Sequence, residues 1–174
     1  GLSVTPVIAG TAIAAHSSHW NPLLAFTAAI SAASIQIGTN LWNDAADAER
    51  GIDTQERLGP PRMTALGLLE AKDVRTGALI AFALAALCGL VLALSVGWPI
   101  IAIGLVSLAL GYLYSMGPYP LSGTPLGEAL VIAFFGMVAV SGAAWIQGVT
   151  VTSGLLLTGF LTGLPAAAVL LLNN

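Results

Sequence analysis

Six apolar runs, separated by polar breaks of which one is long, fill most of the chain: Leu2–Ala15, Leu23–Leu41, Gly77–Gly97, Pro99–Met116, Ala129–Ile146 and Val151–Leu172. Each is nearly free of charge, and several reach the roughly 20 residues that cross a bilayer as a helix. A helix satisfies its own backbone groups, which lipid cannot do. The pattern predicts an all-α, polytopic transmembrane helix bundle of about six spans, a single domain over residues 1–174. The first run is short for a span, and the last residues, Leu172-Asn173-Asn174, lie in or just after an apolar run. Both ends are therefore expected to be truncated. A signal peptide is the alternative for residues 1–15, but no positive segment precedes the run and another apolar segment follows at once.

Composition strengthens this picture. Of 174 residues 57% are hydrophobic and 7% charged, with a mean hydropathy of +0.92, well outside the range of water-soluble domains. A core of this size could not hide so much apolar surface, so the lipid bilayer is the expected surrounding. The single Cys88 excludes an internal disulfide and any multi-cysteine metal site, and its place in the third run predicts a buried, inert thiol. No basic stripe or aromatic-interleaved patch points to nucleic acid.

The charges are concentrated in one break. All five basic residues, Arg50, Arg57, Arg62, Lys72 and Arg75, lie between the second and third runs, with seven of the eight acidic ones: Asp44, Asp47, Glu49, Asp53, Glu56, Glu70 and Asp73. Lysine and arginine mark cytoplasmic loops, so residues 43–76 read as a cytoplasmic loop. Alternation then brings Asn40–Asp47, the Gly117–Gly127 loop and Asn173-Asn174 to that same face, with a tight turn at Gly97-Trp98-Pro99 opposite. The glycines within the runs read as packing residues. Pro165 predicts a bend in the last span. The second and last runs both finish in asparagine, which permits a divergent internal duplication. His16, His19 and Trp20 read as interfacial residues of a short outer loop.

Candidate chemistry sits where the charges begin. In Asn40-Leu-Trp-Asn43-Asp44-Ala-Ala-Asp47-Ala-Glu-Arg-Gly-Ile-Asp53, residues Asn40, Asn43, Asp44 and Asp47 stand at i, i+3, i+4 and i+7. If the second span continues as a helix they form one polar stripe. Oxygen ligands on a rigid helix end suit Mg²⁺, which is held by one or two carboxylates and shared with substrate phosphates. A solvated juxtamembrane segment is the plainer alternative, against which stands the cost of carboxylates near a membrane when they are neither paired nor functional. Further on, Arg57-Leu-Gly-Pro-Pro-Arg62 joins a rigid turn to two guanidinium groups matched to diphosphate oxygens. Lys72 and Arg75 either add diffuse attraction or anchor the third span, and anchoring is the preferred reading. A cation-translocating subunit and a purely structural membrane subunit are the rivals from other classes. The stripe lies at a membrane face rather than at the midplane, where transport sites usually sit.

Asn-Leu-x-Asn-Asp-x-x-Asp, then Gly-x-Asp and Arg-x-Gly-Pro-x-Arg, resembles the first aspartate-rich motif and following loop of the UbiA superfamily of intramembrane prenyltransferases. Within it the pattern is most similar to the 1,4-dihydroxy-2-naphthoate polyprenyltransferases of menaquinone synthesis. Thr5-Pro-Val-Ile-Ala-Gly10, Tyr112-Leu-Tyr114, Leu126-Gly-Glu128, Phe134-Phe135-Gly136 and Asn173-Asn174 extend the likeness over essentially the whole chain. The resemblance implies a polyprenyl diphosphate donor, an aromatic acceptor, Mg²⁺, a place in the cell inner membrane, and nine spans in all. Acceptors other than the naphthoate, such as 4-hydroxybenzoate, a tetrapyrrole or a lipid, stay open.

It also implies roles. Magnesium would bridge Asn43 and Asp47, with Asp44 and Asp53 in or next to its shell, while Arg57 and Arg62 neutralise the leaving diphosphate. Asn40, Lys72, Tyr114, Asn173 and Asn174 would complete the site. Tyr112, Tyr114 and Tyr119 are candidates to shield an allylic cation, with interfacial anchoring equally open. Two departures stand out. Glu128 occupies a position where aspartate is expected, and the second motif, Asn-Asn-x-Arg-Asp-x-x-x-Asp, is represented here by its two asparagines.

Overall fold

In the computed structural model, which describes residues 3–50, 62–115, 121 and 124–173, every regular element is helical. Helix α1 is Val4–His16, α2 Pro22–Arg50, α3 Ala71–Val96 and α4 Pro99–Ser115. Helix α5 (Pro125–Val131), a π-helical segment (Ile132–Val138) and α6 (Ala139–Trp145) follow one another without a break as one rod, and α7 is Ser153–Asn173.

The all-α bundle agrees with the sequence pattern. Among the described residues three helices are long and apolar enough to cross a membrane: Pro22–Glu49, Ala71–Val96 and Leu126–Trp145. The other apolar helices are shorter over their described residues, at Val4–His16, Pro99–Leu110 and Ser153–Val169. The 13 described residues of α1, rising 1.5 Å each, give about 20 Å. Within 43–76, α2 runs on to Arg50 and α3 starts at Ala71.

Local chemistry sets the helix ends. Asn21 caps α2, its Oδ1 accepting from the backbone N–H of Leu23 (3.1 Å) and Leu24 (3.2 Å), and Pro22 takes the first helical position, where no N–H is needed. Gly97, at φ +111°, ends α3, and Pro99 opens α4. This is the tight turn expected at Gly97-Trp98-Pro99.

Antiparallel α2 and α3 form one packed pair. Ser31 Oγ donates to the Ala85 carbonyl (3.3 Å), and further along Phe82 lies against both Gly38 and the Trp42 ring, whose centroid is 6.5 Å away. The rod from α5 to α6 packs on α7 through its π segment and on α1 through α6. Gly10 of α1 lets the backbones touch, since a Cβ there would collide with the Val140 carbonyl oxygen and lie 2.8 Å from Ala143 Cβ. A π segment inserts a residue and turns the helix face by about 100°. Gly136 within it faces α7, and Val140 and Ala143 beyond it face α1. Nothing in the hydrophobic pattern announced that segment.

The packed core lies toward the end of the bundle remote from the Asn/Asp stripe. Val7, Ala28, Leu92, Ala143 and Ile146 join α1, α2, α3 and the end of α6. The turns at that end are clipped together as well: the Asn21 N–H donates to Gln147 Oε1 at 2.8 Å, and His19 lies over Gly148. Cys88 is a buried free thiol, as expected. By contrast Leu87, Leu90 and Leu94 of α3 and Leu105 and Leu108 of α4 are exposed, Leu94 by 81%. Apolar exposure on that scale, along α3, which is long enough to span, and the apolar α4 beside it, fits acyl chains rather than water as the neighbour.

Candidate metal and diphosphate site

Helix α2 does not stop at the end of its apolar run. It continues through Asn40, Asn43, Asp44 and Asp47 to Arg50, so the four residues share one helical stripe as their spacing requires. Burial grades along it: Asn40 is exposed, Asn43 and Asp47 are half-buried, and Asp44 is 8% exposed. A carboxylate buried to that degree needs a partner, and it has one outside α2.

The partner comes from the chain just ahead of α3. Residues Arg62–Leu69 make a single tight turn in which the N–H of Leu66 bonds the Arg62 carbonyl (3.1 Å), that of Gly67 the Thr64 carbonyl (2.9 Å) and that of Leu68 the Met63 carbonyl (3.0 Å). With Gly67 at φ +69° this is a Schellman closure, in which a left-handed glycine satisfies the last carbonyls of a helical turn. The turn lies along the stripe. Arg62 Nη2 pairs with Asp47 Oδ2 at 2.8 Å, the two side chains being 16% and 27% exposed. Two residues on, the Thr64 hydroxyl donates to Asp44 Oδ1 and lies 3.4 Å from the Asp44 carbonyl oxygen.

A second tie steadies the end of α2 from α3. Arg75 Nη2 pairs with Glu49 Oε2 at 2.5 Å, and the Arg75 guanidinium stacks 5.1 Å from the centre of the Trp42 ring. The pair is partly exposed, at 38% and 48%, so its share is within about 1 kcal/mol, with a similar amount from the ring. Arg75 is therefore more than a flanking charge. It links α3 to both ends of the stripe-bearing segment.

Other candidates are placed as follows. Lys72 is exposed in the first turn of α3, and among the described residues its side chain makes no bond to the stripe. Tyr112 and Tyr114 belong to the last turn of α4 and Asn173 ends α7, with their side chains outside the described set, as are Asp53, Arg57, Tyr119 and Asn174 altogether. Glu128, in the first turn of α5, has its Oε2 buried without a hydrogen-bond partner among the described residues. Thr64 was missed by sequence reasoning because a threonine in a short loop carries no signature. Glu49 and Trp42 were missed as partners of Arg75 because that contact depends on how α2 and α3 pair.

Among the described residues no three His, Cys, Asp or Glu side chains converge. Asp44 and Asp47 with Asn40 and Asn43 nonetheless make a set of hard oxygen donors on one rigid face, and both carboxylates are oriented from outside their own helix. That donor set fits Mg²⁺, which is seldom enclosed by protein and takes remaining ligands from water and phosphate.

The profile of the UbiA prenyltransferase family matches residues 3–174. The chain belongs to that family. Similar members include the 1,4-dihydroxy-2-naphthoate octaprenyltransferases of Mycobacterium tuberculosis, 39% identical over 99% of this chain and 59% of the relative, and of Escherichia coli, 35% identical over 99% and 58%. The enzyme of that name from Bacillus subtilis is 33% identical over 99% of this chain and 55% of its own length. The chain thus spans rather less than three fifths of the length of these curated relatives. No solved structure matches it. The UbiA resemblance drawn from the Asn/Asp stripe and the Arg-x-Gly-Pro-x-Arg loop is borne out by the family match.

Proposed function

We propose that the protein transfers a polyprenyl group from polyprenyl diphosphate to an aromatic acceptor, 1,4-dihydroxy-2-naphthoate, in menaquinone synthesis. The observation that carries the reading is the oxygen-donor stripe of α2 with its two carboxylates held by Thr64 and Arg62. The names of the UbiA relatives support the choice of acceptor.

Bound Mg²⁺ would supply charge to draw electrons toward the leaving diphosphate. Asp44, Asp47 and Asn43 would hold it, with Asp53 beside them and Asn40 extending the stripe toward the substrate. Arg62 and Arg57 would donate to diphosphate oxygens as the allylic C–O bond breaks and its electron pair stays with the diphosphate. Lys72, Tyr114, Asn173 and Asn174 would line the same site. A ring carbon of the acceptor then attacks the allylic cation, and loss of a proton restores aromaticity. The apolar helices would wall the prenyl tail away from water.

The reaction is tested on the full-length protein in lipid nanodiscs with radiolabelled polyprenyl diphosphate and Mg²⁺, offered dihydroxynaphthoate or 4-hydroxybenzoate. Prenylated naphthoate is the expected product. Transfer to 4-hydroxybenzoate alone would overturn the acceptor, and no transfer to either would overturn the reaction.

The proposal includes an inner-membrane topology of about six spans, with the α2–α3 connection cytoplasmic, which rests on the lysine and arginine bias of that connection. In a Cys88→Ala background, Leu69→Cys should react with a membrane-impermeant thiol reagent only from the cytoplasmic side, and Thr150→Cys only from the other. Labelling of both from one side would refute the alternation, and with it the common face for the stripe and Asn173-Asn174.

A further inference from the structure

We propose that Thr64 is a positioning residue for the metal site, acting through Asp44, an inference that rests on the function proposed above. The Thr64 hydroxyl has one hydrogen, and it is given to Asp44 Oδ1. This fixes the rotation of a carboxylate that is 8% exposed, and Oδ2, which has no hydrogen-bond partner among the described residues, keeps lone pairs for a cation. Magnesium demands near-octahedral geometry and tolerates misdirected ligands poorly. A carboxylate already locked by a neighbour binds without first losing that rotational freedom. Residues that orient ligands in this way typically contribute about 10–100-fold in metal affinity or activity.

The device is built to be rigid. Thr64 lies inside the Schellman turn, whose closing residue, Gly67, has nothing within 4 Å of where a Cβ would stand. Glycine is therefore required there by its φ of +69° and not by crowding. Arg62 opens the same turn and holds Asp47, one helical turn along α2 from Asp44. The turn thus orients two carboxylates of the stripe at once, by a neutral hydroxyl at one and by a counter-charge at the other. The two contacts respond differently to a bound cation. Arg62 must loosen from Asp47 Oδ2 if a cation takes that oxygen, whereas Thr64 keeps its bond to Asp44 Oδ1 while Oδ2 is engaged.

The test uses the full-length protein in detergent with Mn²⁺ as the probe cation and inorganic pyrophosphate in place of the substrate headgroup, free Mn²⁺ being read by electron paramagnetic resonance. Asp44→Asn should lose binding. Thr64→Val, which keeps the shape and removes the hydroxyl, should weaken Mn²⁺ about 10–100-fold, and Thr64→Ser should restore it. The Mg²⁺ concentration at half-maximal transfer should rise by the same factor in Thr64→Val, with kcat recovered at high Mg²⁺, while the thermal midpoint of the metal-free protein stays put. If Asp44→Asn loses the cation and Thr64→Val binds as wild type does, Thr64 has no positioning role. A fall in midpoint shared by both Thr64 variants would make its role structural and overturn the proposal. If Asp44→Asn binds like wild type, the metal site itself has been misassigned and the inference falls with it.

Discussion

Asp47→Ala in the full-length protein is expected to reduce prenyl transfer by about 10²–10³-fold or more, the loss typical of removing one group that stabilises charge in a reacting site. Asp47 is the only carboxylate of the stripe paired to a cationic side chain in the described structure, through Arg62 at 2.8 Å. The substitution therefore does two things: it removes a proposed metal ligand and takes one counter-charge from a guanidinium that is 16% exposed. The pair is mostly buried, so removing one partner costs between the roughly 1 kcal/mol of a surface pair and the about 3–5 kcal/mol of a fully buried one, and folding has to be read beside turnover. Arg62→Ala separates the two effects. It should weaken diphosphate binding while leaving the carboxylate in place, and so should cost less than Asp47→Ala at saturating Mg²⁺. Product formation with radiolabelled donor, alongside the yield of protein in the membrane fraction, measures both. Turnover by Asp47→Ala within tenfold of wild type would remove Asp47 from the site.

The stripe was legible because it depends only on helical spacing. Asn40, Asn43, Asp44 and Asp47 fall together on any helix that continues past Leu41, and α2 does continue, to Arg50. The bundle was legible for a similar reason, since runs that are apolar on all sides leave helix in lipid as the remaining solution. What could not be read are contacts between elements distant in sequence. Thr64 meets Asp44 across 20 residues, and Arg75 meets Glu49 across 26, and each meeting depends on how a turn and a helix pair happen to lie. The number of spans is a matter of geometry of another sort. Hydropathy counts apolar residues, but crossing a membrane also needs unbroken helical rise, which three helices supply among the described residues. The reading of all span glycines as packing residues was too general. Gly89, Gly104 and Gly142 have nothing within 4 Å of a built Cβ, whereas Gly10, Gly136, Gly159 and Gly163 sit against backbone.

That division among the glycines makes a second large prediction: Gly163→Val should disrupt the bundle where Gly104→Val does not. Gly159 and Gly163 stand four residues apart on α7, so they lie on one face, and Gly136 of the π segment packs between them. A Cβ on Gly136 would strike the Gly159 carbonyl oxygen and come within 2.9 Å of Gly163 Cα, and one on Gly163 would lie 2.9 Å from both Ile132 Cα and its carbonyl oxygen. Every one of these neighbours is backbone, so no side chain can swing aside to make room. Small residues matter most in such interfaces, because between helices in lipid close van der Waals contact replaces the hydrophobic drive available in water. Overpacking a well-packed site costs about 1–3 kcal/mol and occasionally more, and a branched side chain between two backbones belongs at the upper end. Gly104 offers the matched control, being a glycine of similar setting in α4 with open space around it. Thermal unfolding in detergent, followed by tryptophan fluorescence and by protease resistance of the α6–α7 turn, measures both variants. The midpoint of Gly163→Val should fall well below that of wild type, and that of Gly104→Val should stay close to it. Equal midpoints for the two would mean that α7 and the π segment do not meet through their glycines, and the handing of the rod from α7 to α1 at the π segment would lose its physical basis.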